Sequence, residues 1–108
     1  MISSDMIRGY NDPIILSILT DGDSYGYEIS KKIREMSEGK YIIKETTLYS
    51  AFARLQKNGL ITSYPGDETF GKKRTYYKIT AKGLEFLIEK REEWEVTQEV
   101  VKIFLGGK

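Results

Sequence analysis

The span from Lys44 to Thr80 constrains the fold more than any other part of the chain, because two patterns of different period follow each other within it. In Thr46-Thr47-Leu48-Tyr49-Ser50-Ala51-Phe52-Ala53-Arg54-Leu55, the residues Leu48, Ala51, Phe52 and Leu55 recur at three- and four-residue spacing, which is the inward stripe of a helix. Thr46 is placed to cap this helix, and Asn58-Gly59 to end it. Leu60–Tyr64 and Thr75–Thr80 are then rich in strand formers. Pro65-Gly66-Asp67 and Gly71 lie between them, so the pair reads as a hairpin with a long flexible tip.

Upstream, Asp12 before Pro13 resembles an N-cap followed by proline at the first helical position, and Gly22 supplies a stop after Leu19. Ser24 is expected to cap the next helix, whose apolar positions are Tyr25, Ile29, Ile33 and Met36 and which Gly39 ends. Tyr41-Ile42-Ile43 has the composition of a short edge strand. Thr80 caps a final helix that runs to about Leu105. In a heptad frame Leu84, Leu87, Trp94, Val101 and Leu105 fall at its core positions, with Arg91 and Gln98 as polar interruptions. A helix of about 25 residues spans about 37 Å at 1.5 Å per residue, which overshoots so small a domain and predicts packing on a second copy.

The resulting class is α+β and mainly helical: a winged helix-turn-helix with a two-stranded wing and a long C-terminal dimerisation helix. Residues 1–80 form the winged unit with its N-terminal helix, and residues 81–108 the dimerisation helix, within one compact whole. Helix, strand, basic turn, strand is an order that predicts DNA binding.

Composition narrows the alternatives. No apolar run approaches the roughly 18 residues of a spanning helix, and Met1–Met6 lacks the basic start and apolar stretch of a signal peptide, so a cytoplasmic protein is expected. Without cysteine or histidine there is no disulfide, thiolate site or imidazole base. Neither an enzyme, a metal site nor a cofactor is therefore expected. The net charge of +1 hides an asymmetry: Lys72 to Lys82 holds five basic residues and no acid, whereas between Glu85 and Glu99 six glutamates face only Lys90 and Arg91. Anion binding is thus expected on one surface.

A helix set in the major groove buries one face and presents small hydrogen-bonding residues on the other. Here the outward set is Thr46, Thr47, Ser50, Arg54 and Lys57, with Ala53 small enough for close approach. Lys44 and the helix amino end are suited to a phosphate. Tyr49 lies either over the DNA backbone or under the hairpin. Lys72, Lys73 and Arg74 at the hairpin are placed to neutralise phosphates or enter a minor groove. The competing reading is a winged-helix module for protein assembly, since the fold does not dictate DNA binding; acidic residues on the outward face would favour it, and none lies between Thr46 and Lys57.

Asp23-Ser24-Tyr25-Gly26-Tyr27-Glu28-Ile29, Thr47–Leu55, Asn58-Gly59-Leu60-Ile61 and Gly71–Gly83 together resemble the PadR family of bacterial transcriptional regulators. The resemblance implies a homodimer joined by the final helices and the first helix, gripping a pseudo-palindromic operator and acting mostly as a repressor that a ligand relieves. A single C-terminal helix is similar to the short subgroup. In its multidrug-sensing branch a tryptophan on the last helix pairs with its twin, and planar aromatic molecules stack between them. By that resemblance Trp94 is a ligand residue, with Asp12, Leu87 and Gln98 around it. The alternative is a heptad residue that seals the dimer. Gln98 stands where the drug-binding pattern has an acid, and Lys90 and Arg91 bring positive charge nearby.

Overall fold

The computed structural model describes residues 1–69 and 71–107, with the backbone alone at residues 68 and 69. A short helix α1 (Ser4–Ile7) passes through a 3-10 turn (Arg8–Tyr10) into α2 (Asn11–Leu19). There follow β1 (Ser24–Tyr25), α3 (Gly26–Met36), α4 (Glu45–Lys57), β2 (Ile61–Thr69), β3 (Lys72–Ile79) and α5 (Ala81–Leu105). The strands form one antiparallel sheet in the order β1-β3-β2, the winged-helix arrangement. Among the described residues no helix is long and apolar enough to cross a membrane.

The helical stripe of α4 buries as its spacing predicts: Leu48, Ala51, Phe52 and Leu55 all lie in the core with Ile15, Leu16, Ile29, Ile61 and Leu87. Phe52 stacks on Tyr77 of β3 at 4.0 Å and an interplanar angle of 18°, so α4 and the sheet share one aromatic contact. Of the neighbouring tyrosines in β3, Tyr77 is the buried one, and Tyr76 lies on the other face. Thr80 caps α5, its Oγ accepting from the Gly83 N–H at 3.0 Å. The same hydroxyl donates to the Gly59 carbonyl at 2.7 Å, tying the end of α4 to the start of α5.

Several expected details are corrected. The helix expected from Pro13 begins two residues earlier at Asn11, and Asp12 sits inside its first turn rather than at its cap. Ser24 does not cap α3, because its backbone pairs with Tyr77 in the sheet and its hydroxyl donates to Glu28 Oε1 at 2.6 Å. Met36, expected on the buried face of α3, is 73% exposed because the helix leaves the core in its last turn. Tyr41–Ile43 is not a strand: Ile43 enters the core, while Tyr41 bonds to Ser37 and Asn11. The edge of β3 is taken instead by Ser24 and Tyr25, so the sheet has three strands. Thr46 is not the cap of α4 either; Lys44 occupies that position, with no side-chain cap.

The hairpin differs most. Its strands run on to Thr69 and from Lys72, leaving a short turn where a long tip was expected; residue 70 lies outside the described residues. Pro65 and Gly66-Asp67 mark a register shift within the ladder between Pro65 and Glu68, not a break. Proline lacks the N–H a ladder needs, and a bulge accommodates it. Gly71, at φ 77°, makes the turn in a conformation that side chains disfavour.

Candidate nucleic-acid interface

Tyr49 of α4, the start of α3 and the basic end of the wing line one concave cleft. Tyr25, Tyr27 and Tyr49 form one wall, and Lys72, Lys73, Arg74 and Thr75 the other. Lys72 and Lys73 are exposed, whereas Arg74 is half-buried, its guanidinium 4.2 Å above the ring of Tyr25. A cation over an aromatic face is attracted to the ring and is thereby oriented. Tyr25 itself rests on Tyr76, and Tyr76 stacks on Tyr64 at 5.7 Å. The Tyr64 hydroxyl donates to Asp23 Oδ2 at 2.5 Å, a bond that pushes the Tyr64 pKa up to about 12. A ladder of side chains thus ties the wing to the segment before α3.

Thr46 and Ser50 are exposed on α4, and Thr47 is half-buried beside them. Lys44, exposed at the N-cap, brings a cation to the positive end of a helix. That arrangement does not stabilise the helix; it suits an external anion. Tyr49 lines the cleft edge-on to Phe52 at 5.4 Å, with its hydroxyl over Gly26. A Cβ built on Gly26 would lie 2.5 Å from that hydroxyl, so the glycine makes room for the ring.

Arg54 is placed differently from the rest of its set. Its Nε and Nη2 donate to the two carboxylate oxygens of Asp12 at 3.0 and 2.5 Å, and this pairing raises its pKa. The side chain is therefore turned to α2 and away from the groove-facing set. Lys57 is exposed in the last turn of α4.

The residues expected around a ligand do not all converge. Trp94 is 44% exposed and meets Tyr10 edge-on at 5.2 Å. Gln98 is exposed one turn further along. Asp12 is occupied by Arg54. Leu87, at 1% exposure, packs in the core of its own chain. Leu84, Val101 and Leu105 remain exposed. Tyr27 and Tyr25 were missed as cleft residues: Tyr27 has no periodic signal beyond its outward position on α3, and Tyr25 carries the spacing of a core residue.

The transcriptional regulator PadR-like family matches residues 15–89. An uncharacterised protein of Lysinibacillus sphaericus is 44% identical over 107 residues, with 99% of this chain and 98% of that protein covered. A transcriptional regulator from Clostridium thermocellum is similar in structure at a TM-score of 0.90 and 61% identity, over 97% of this chain and 99% of that one. Bacillus subtilis PadR, solved in complex with operator DNA, shares the fold at a TM-score of 0.68 and 23% identity, over 77% of this chain and 46% of its own. The family match runs from within α2 through the cleft and the wing into the first turns of α5, and this chain belongs to the PadR-like family of transcriptional regulators.

Proposed function

We propose that the chain is a sequence-specific DNA-binding repressor that works as a homodimer in the cytoplasm and is released by a planar aromatic small molecule at the subunit interface. The observation that carries the DNA reading is the cleft in which Tyr49 of α4 meets the wing cations Lys72, Lys73 and Arg74, with Thr46 and Ser50 exposed on the same helix. Bacillus subtilis PadR, bound to operator DNA, has the same fold. In this reading Thr46, Thr47 and Ser50 meet base edges, while Lys44, Tyr49, Lys72, Lys73 and Arg74 hold the sugar-phosphate backbone. Mobility shifts on a duplex selected by the protein from a random library should weaken steeply as salt rises. Binding that ignores salt, or a selection that enriches nothing, would sink the reading and favour a protein-interaction module.

The dimer reading, in which residues 81–108 join the subunits, is supported by α5. Among the described residues of that helix only Gly83 and Leu87 are buried. Val96, Val100, Val101, Ile103, Phe104 and Leu105 are exposed, an apolar load that a lone subunit would present to water. Val101→Glu is expected to weaken self-association roughly tenfold or more, since it sets a charge in an apolar contact; an unchanged dimer in sedimentation would place the interface elsewhere.

The ligand reading rests on the partly open ring of Trp94, because an indole face attracts planar and cationic groups. It is the only tryptophan in the chain, so its emission reports on this site alone. A panel of planar aromatic compounds should contain members that quench Trp94 and release the duplex. If none does either, Trp94 is an interface residue and the regulator has another signal.

A further inference from the structure

Three consecutive residues at the start of α2 each hold a different part of the molecule. Tyr10 meets Trp94 of α5 edge-on at 5.2 Å. Asn11, a buried polar residue, accepts through Oδ1 the hydroxyl hydrogen of Tyr41, in the connector that leads into α4. Asp12 takes both donors of the Arg54 fork on α4 at 2.5 and 3.0 Å. The body of α2 is fixed in the core by Ile15 and Leu16. Its first turn is the point where α5, the connector and α4 meet.

Each contact is directional. A bidentate guanidinium-carboxylate pair fixes the angle as well as the distance between its partners. A buried amide oxygen leaves its one arrangement only at the cost of an unmade hydrogen bond. We propose that Tyr10-Asn11-Asp12 couples α5 to α4, and that Arg54 is a positioning residue through which this coupling sets the pose of the groove-facing helix. The proposal rests on the DNA-binding reading above. Its consequence is reciprocal: if a displacement of Trp94 changes DNA affinity, DNA binding must alter the surroundings of Trp94.

The test uses the full chain, the library-selected duplex and the emission of Trp94. In the wild type, saturating duplex shifts or quenches that emission although α4 and not α5 meets the DNA. Arg54→Ala binds the duplex roughly tenfold more weakly, the scale of one missing charge-assisted pair, but keeps the wild-type dependence on salt. At saturation its Trp94 emission no longer responds. Asp12→Asn, which retains an acceptor but no charge, gives an intermediate response. Tyr10→Ala leaves the Asp12–Arg54 pair in place and abolishes the response, which separates the relay from a local effect at Arg54. Arg54 is exposed and Asp12 half-buried, and neither belongs to the apolar core; urea unfolding of each variant checks that it folds.

A flatter salt dependence in Arg54→Ala would make Arg54 a direct DNA contact and overturn the proposal. So would a full Trp94 response to duplex in Arg54→Ala, or none in the wild type. Both of those outcomes leave the DNA-binding reading standing. If no duplex is enriched, that reading falls first and the proposal falls with it.

Discussion

Replacing Lys72, Lys73 and Arg74 together by glutamine is expected to weaken DNA binding by roughly two orders of magnitude per subunit near physiological salt, and to flatten the logarithmic salt dependence by about 0.9 for each phosphate no longer neutralised. The effect should be nearly uniform across sequences, because backbone contacts carry affinity and register but no base information. Changes at Thr47 or Ser50 should behave in the opposite way, altering which duplex is preferred while leaving the salt dependence intact. The three cations are not equivalent. Lys72 and Lys73 are exposed at the end of the wing, whereas Arg74 is held over Tyr25. Tyr25→Leu keeps every charge and removes that guide, so it should cost less affinity than the triple variant and leave the salt dependence unchanged. Mobility shifts at three or four salt concentrations separate these outcomes. A triple variant that binds as the wild type does would mean that the wing is not in the interface.

Gly83→Ala is expected to destabilise the fold by about 3 kcal/mol, at the upper end of overpacking costs. The sign is the informative part, since glycine to alanine inside a helix ordinarily stabilises by up to about 1 kcal/mol. Here the added Cβ would sit well inside van der Waals range of the Leu60 carbonyl oxygen and 2.8 Å from Ile79 Cγ1. The first neighbour is backbone and has little freedom to yield. That carbonyl already accepts the Thr80 N–H at 3.1 Å, and Thr80 is the cap of α5. Relieving the clash by moving α5 would break the cap and withdraw Leu87 from the core. Gly9→Ala is the control, because nothing lies within 4 Å of its Cβ position. Urea unfolding should show the first variant strongly shifted and the second close to wild type; equal midpoints would mean that α5 docks more loosely than these distances allow.

The parts of the fold that were legible in sequence were those whose signal is local and periodic. Leu48, Ala51, Phe52 and Leu55 announce the buried face of α4 because nothing but a helix brings those four together. Thr80 announces the start of α5 because its hydroxyl caps within its own first turn. Signals shared by two structures were misread. Pro65-Gly66-Asp67 has the composition of a turn but forms an irregularity inside a longer ladder, and Tyr41-Ile42-Ile43 has that of a strand but serves as a connector. In each case the partner across the sheet decided the matter, and no local pattern names that partner. The same limit applies to the site. The cations of the wing were visible as a cluster, yet the pairing of Arg54 with Asp12 and of Arg74 with Tyr25 joins residues far apart in the chain. Hydrogen-bonding potential made Arg54 a candidate for DNA contact, and its pairing with Asp12 emerges only in the fold.

The short length of β1 has a consequence for solubility. It pairs with β3 only at Tyr77 and Tyr76, so the outer half of β3 presents unpaired backbone groups to solvent, and an open strand edge is a template for zipping onto another chain. Lys72, Lys73 and Arg74 are the residues along that open half. The charges proposed to hold a phosphate backbone therefore also lie on the strand edge most open to pairing, where charge opposes zipping.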